Sequence, residues 1–105
     1  MGKEEIQSIA FQLIAYSGEA FDHYYKSIDL ARLGEIEHAN NEIKIGNSKL
    51  TKAHNSQREL LTAEARNENI EFSIILVHAQ DHLMTTIMFE RVAKEFIQLY
   101  DERRK

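Results

Sequence analysis

An all-α fold, an antiparallel bundle of three long helices, is predicted by three observations on this 105-residue chain. It has no proline and only four glycines, so little interrupts helical backbone. Apolar residues recur at steps of three and four through three long segments, the period of one helical face. Two short stretches, Leu33-Gly34 and Asn67-Glu68-Asn69, read as turns, and short turns make neighbouring helices antiparallel.

Helix 1 is expected from about Lys3 to Arg32. Ile6, Ile9, Leu13, Ala20, Phe21, Tyr24, Ile28 and Ala31 form its stripe, widened by Ala10 and Ile14. Gly18 lies inside this pattern, at a cost of roughly 1 kcal/mol relative to alanine, and suggests a kink or a close helix contact. Gly34 supplies a left-handed stop. Helix 2 is expected from about Glu35 to Arg66. Its seam reads Ile36, Ala39, Ile43, Gly46, Leu50, Ala53, Gln57, Leu60, Glu64, a strict alternation of three and four. Helix 3 is expected from about Ile70 to Arg103, with Glu71 in its first turn and Arg103, Arg104 and Lys105 at its end to complement the dipole. Each helix would be about 45 Å long. Residues 1–105 therefore read as one domain.

Composition narrows the function. A net charge of -4 gives no basic face, which argues against nucleic acid as a partner. Without cysteine there is no thiolate metal site and no thiol nucleophile. Uncharged runs such as Phe72 to Gln80 fall short of the roughly 20 residues that cross a bilayer, and the N-terminus lacks a signal-peptide pattern. The expectation is a cytoplasmic protein that does not insert into membrane.

Helix 3 carries the functional signal. Between Phe72 and Phe89 the one charged side chain is Asp81, set between His78 and His82. On a helix these three share one face, at i, i+3 and i+4. Apolar residues from Ile74 to Phe89 point all the way round, more than two partner helices can cover. That predicts a homo-oligomer with helix 3 at its centre and cyclic symmetry, of two, three or four subunits.

Three readings fit the cluster. It can be a satisfied buried polar group that fixes register. It can bind a divalent metal through two histidines and a carboxylate. The metalloprotease pattern H-E-x-x-H is missing, because Ala79 follows His78, and a single Glu35–His38 pair does not make a di-iron site. Or His78 can be a nucleophile toward phosphorus, with His82 donating to the phosphoryl oxygens. Asp81 is then awkward, since its charge repels a phosphate. His23 and His38 read as solvated, His54 as a residue beside the helix 2 seam with a possible place near the phosphate, and Met84, Met88 and Phe89 as packing.

The string His78-Ala79-Gln80-Asp81-His82-Leu83-Met84-Thr85-Thr86 resembles the signature of the enzyme IIA component of the lactose/cellobiose family of the bacterial phosphoenolpyruvate-dependent sugar phosphotransferase system. Ala15-Tyr16-Ser17-Gly18-Glu19-Ala20, Ala53-His54-Asn55-Ser56-Gln57 and Ile97-Gln98-Leu99-Tyr100 resemble its other segments, so the likeness covers essentially the whole chain. The aromatic run Phe21-Asp22-His23-Tyr24-Tyr25 departs from it. The resemblance implies a three-helix bundle that trimerises into nine helices, and a phosphotransferase component. His78 would take a phosphoryl group on Nε2 from phospho-HPr and pass it to a cognate IIB component. His82 and Gln80 would hold the phosphoryl oxygens. Three copies of Asp81 would bind a metal ion such as Mg2+ at the trimer axis, and sugar specificity would reside mainly in a membrane IIC component. Two rivals remain: a structural oligomer with a buried metal-binding His/Asp cluster, and a histidine phosphotransfer domain. The latter expects lysine where Asp81 stands, and a fourth helix.

Overall fold

Two residues in the left-handed region, Gly34 at φ 85° and Asn67 at φ 60°, set where the first two helices stop. In the computed structural model, which describes residues 1–104, α1 spans Lys3–Arg32, α2 Ile36–Ala65 and α3 Ile74–Arg103. At both stops the chain closes the same way. Glu35 N–H bonds to the Leu30 carbonyl and Gly34 N–H to Ala31, and Glu68 and Asn67 repeat the pattern on Ala63 and Glu64. These paired bonds satisfy carbonyls that a helix end leaves open. Asparagine is the residue other than glycine that best tolerates this conformation.

The three helices run up, down and up in a rod of 55 × 20 × 18 Å. The α1 helix packs along both of the others, whereas α2 and α3 meet only sparsely. That arrangement explains the one displaced boundary. Crossing the bundle end from α2 to α3 takes eight non-helical residues, 66–73, so α3 starts at Ile74 and not at Ile70. Ile70 packs against the core, and the Met1 ammonium bonds to the Asn69 carbonyl at 3.0 Å. Glu71 consequently precedes the helix and no acid occupies its first turn, while Arg103 does sit in its last. Lys105, expected beside it, lies outside the described residues. No described helix is long and apolar enough to cross a membrane.

Most of the α1 stripe is buried as its spacing predicts; Ile14, Phe21 and Ile28 are only half-buried, and Ser17 and Ser27 turn inward beside it. In α2 the buried row is Ala39, Ile43, Gly46, Ala53, Ser56, Leu60 and Ala63. It keeps Ala39, Ile43, Gly46, Ala53 and Leu60 of the expected seam but takes Ser56 and Ala63 in place of Gln57, which is half-buried, and Glu64, which is exposed. Ser56 turns inward and donates to Gln12 Oε1 at 2.8 Å.

At Gly46 α1 and α2 approach closely. A Cβ there would lie 2.5 Å from Tyr24 Cε1, and Tyr24 is fully buried with its hydroxyl donating to Asn47 Oδ1 at 2.6 Å. Overpacking of this kind costs about 1–3 kcal/mol, more than the gain of at most about 1 kcal/mol from helix propensity. Gly46→Ala is therefore expected to lower the urea midpoint. Gly18 behaves differently: nothing lies within 4 Å of its would-be Cβ, and α1 runs through it unbroken. Within one chain the close contact expected there does not form.

His23, expected in solvent, is instead part of a clasp between α1 and α2. Its Nδ1–H donates to Glu42 Oε2 at 2.6 Å, and Lys26 Nζ lies 3.3 Å from Oε1. Glu42 is buried. Desolvation raises its pKa, but the hydrogen bonds from His23 and Lys26 outweigh this, and the carboxyl falls below its ordinary 4.5. A carboxyl depressed on folding adds stability above pH 4.5 and loses it as pH falls through the folded-state value. The urea midpoint of Glu42→Gln should accordingly drop less than the parent's between about pH 5 and about pH 3. His38 is exposed, as expected, beside Glu35.

Candidate functional site

The buried side of α3 consists of Leu76, Ala79, Leu83, Thr86, Ala93 and Ile97, all turned toward α1 and α2. With only that side covered, the opposite side keeps an apolar row in the open: Ile74 (78 % exposed), Val77, Met84, Met88 (63 % exposed), Val92, Phe96 and Leu99. Asp81 stands in this row and is exposed. The expectation that the His/Asp cluster is buried is thus not met within one chain, because a single neighbouring helix covers most of what α3 buries.

His78 and His82 project from one flank, between the core and the apolar row. Their Nε2 atoms lie 3.1 Å apart, with ring centroids at 4.5 Å and planes at 89°. One of these nitrogens must carry the proton and the other the lone pair. The arrangement therefore pairs an exposed nitrogen nucleophile with an N–H donor one helical turn away. Beside His82 opens a cavity of about 320 Å³ lined by Gly18, Phe21 and Asp22 of α1 and by Thr85 and Thr86. Phe21 stacks on Phe89 at 4.3 Å and walls one end. No lysine or arginine precedes Arg91 on α3, so an anion held here is met by N–H donors, not by a cation of the same helix.

Gln80 is two residues from each histidine, about 160° round the helix from both. It faces α2, where its Oε1 accepts from Gln57 Nε2 at 3.1 Å. Within one chain Gln80 does not reach the histidine pair. Asp81 has no hydrogen bond or ion pair with either imidazole or with any other group among the described residues. No group of three or more potential ligands that could hold a metal forms among the described residues; His78, Asp81 and His82 of one chain are not a metal centre. His54 is exposed on α2. Sequence reasoning missed Gln57 as the partner of Gln80, although a glutamine on an otherwise small and apolar seam was the available signal.

Residues 8–101 match the family described as the lactose/cellobiose-specific IIA subunit of the PTS system. The lactose-specific EIIA component of Staphylococcus aureus is 34 % identical over 100 residues, spanning 95 % of this chain and 97 % of the relative. The lichenan-specific phosphotransferase enzyme IIA component of Bacillus subtilis is 36 % identical over 99 residues, 94 % of this chain and 90 % of that one. Among solved structures, the cellobiose-specific enzyme IIA from Bacillus anthracis superposes with a TM-score of 0.92 at 36 % identity, covering 99 % of this chain and 94 % of that one. The IIA(Chitobiose) of Escherichia coli, solved in complex with HPr, does so at 0.82 and 28 %, covering 95 % and 97 %. Fold, full-length coverage and sequence agree: the chain belongs to the lactose/cellobiose-specific IIA family of the sugar phosphotransferase system.

Proposed function

We propose that the chain is a phosphoryl carrier, loaded on His78 by phospho-HPr and discharged to a cognate IIB component during uptake of a lactose-, cellobiose- or chitobiose-type disaccharide. The observation that carries this reading is the exposed imidazole pair with its 3.1 Å Nε2–Nε2 contact. The Escherichia coli relative solved with HPr supports the choice of donor. With His82 donating its Nε2–H, His78 keeps a lone pair on Nε2 and its own proton on Nδ1. The lone pair attacks phosphorus, an N–P bond forms, and the bond to the donor breaks with its electron pair leaving on the donor. His82 Nε2–H then meets the phosphoryl oxygens where charge builds up. Discharge to the acceptor repeats these events in reverse.

Gln80 enters through assembly. The outer apolar row of α3 needs a cover, and a cyclic trimer that turns three such rows onto one axis supplies it, making nine helices in all. In such a ring the His78–His82 flank of each α3 faces the Gln57–Gln80 flank of the next. Gln80 of the partner subunit is then the one placed to hold the phosphoryl group. Three Asp81 carboxylates meeting on the axis repel one another unless a cation joins them, and hard carboxylate oxygens suit Mg2+. The ion would neutralise that charge and fasten the chains, with no step of the transfer passing through it.

Incubation with phosphoenolpyruvate, enzyme I and HPr should load one phosphoryl group per chain, and adding the IIB component should remove it. A protein that stays unlabelled, or a label that IIB cannot discharge, would contradict the carrier reading.

A further inference from the structure

The interior of the bundle changes character at the turn that carries His82. On one side an apolar cluster gathers Leu13, Leu76, Ala79 and Leu83, and on the other a second gathers Ala20, Tyr24, Ala93 and Ile97. Between them α1 and α3 meet through Ser17 and Thr86, 0 % and 2 % exposed. Thr86 Oγ1 lies 2.8 Å from the His82 carbonyl, one turn back on α3, and 3.3 Å from the Ser17 carbonyl on α1. A hydroxyl has one proton, so the two carbonyls share it, the nearer taking the larger part.

The consequence is mechanical. Apolar burial is non-directional, so leucines and alanines constrain the height and rotation of α3 on α1 only through the fit of their shapes. A hydrogen bond has a required distance and angle, and a threonine bonded to the carbonyl four residues back also reshapes its own helical turn. The peptide of His82 is thereby tied through one buried hydroxyl to the backbone of α1.

We infer that Thr86 is a positioning residue: its hydroxyl sets the His82 turn on α1 and so keeps His82 Nε2 aimed at His78 Nε2. The inference rests on the carrier reading for its kinetic consequence but not for its structural one. Thr86→Val keeps the shape and removes the hydroxyl. Two quantities are read: the rate at which phospho-HPr loads the protein, and the imidazole ¹H–¹⁵N spectrum of the unphosphorylated protein, which reports the proton and hydrogen bond at each ring nitrogen. The valine variant should load about ten-fold more slowly with a displaced His82 Nε2 signal. Thr86→Ser should restore both, and Ser17→Ala should match the parent. If the valine variant does not fold, Thr86→Ser and Thr86→Ala both lack the γ-methyl and differ by the hydroxyl alone. Equal rates and equal imidazole spectra between the variants with and without the hydroxyl would overturn the inference. Failure of the parent to take label would sink the carrier reading instead, while the imidazole spectra, which need no donor, would still decide the role of Thr86.

Discussion

Replacing His78 with alanine is expected to abolish phosphoryl uptake outright, whereas replacing His82 should slow it by about 10²-fold and leave the site of labelling unchanged. The two residues are neighbours in a nearly symmetric pair, yet their assigned roles are unequal. In the proposed transfer His78 supplies the atom that bonds to phosphorus, so removing it takes away the acceptor itself. His82 supplies one N–H donor to the developing charge, and losing a single such donor elsewhere costs 10²–10³-fold. Rapid-quench labelling by phospho-HPr measures both. Equal losses in the two variants, or a label that moves to His82 when His78 is removed, would show that the roles have been assigned wrongly.

The second large effect concerns assembly. Val77 and Met84 flank Asp81 in the exposed row of α3. Burying each such side chain contributes about 1.5–3 kcal/mol, so the double variant Val77→Glu, Met84→Glu forfeits about 3–6 kcal/mol per protomer before repulsion between the new charges is counted. Sedimentation should change from the mass of three chains to that of one. The thermal midpoint of the parent should rise with protein concentration, and that of the variant should not. Chelating divalent metal should lower the parent's midpoint and leave Asp81→Asn unaffected, because without three converging carboxylates there is no charge for a cation to neutralise. A parent that sediments as one chain at every concentration would remove the case for Gln80 as well as for the metal.

Helix number, the first turn and the α1 stripe were legible because they depend on local chemistry: no proline, a glycine able to take φ 85°, and a 3.6-residue period. What was misread depends on relations between helices. The α2 seam was read as one unchanging stripe, but beside the buried row Ala39, Gly46, Ala53 and Leu60 the second buried position changes side, from Ile43 to Ser56 and Ala63. Which side is buried depends on where the neighbouring helices lie, and the spacing within α2 does not encode it. The start of α3 at Ile74 leaves room to cross between two helices that both pack on α1, and the local signal for it was Ser73, a favoured N-cap type directly before the apolar run. His23 looked solvated because its partner, Glu42, is nineteen residues away on another helix.

In the site, the spacing of His78 and His82 was enough to predict one flank. The same rule places Gln80 on the other, since residues two apart on a helix do not face each other. Within one chain Gln80 therefore pairs with Gln57 and not with the histidines, and only the proposed trimer would bring it to them. The exposure of Asp81 and of the surrounding apolar row has the same origin. Three helices, with α1 in the middle, leave the outer side of α3 uncovered.

The central claim is that a neutral imidazole held against its neighbour on α3 is kept ready to bond to phosphorus. Heteronuclear ³¹P–¹⁵N NMR of the protein loaded from phospho-HPr tests this most directly, by identifying the ring nitrogen attached to phosphorus. The expected result is a single N–P linkage at Nε2 of His78, with the Nε2–H of His82 shifted by its new phosphoryl acceptor. A linkage at Nδ1, at His82, or at a residue outside α3 would contradict the account.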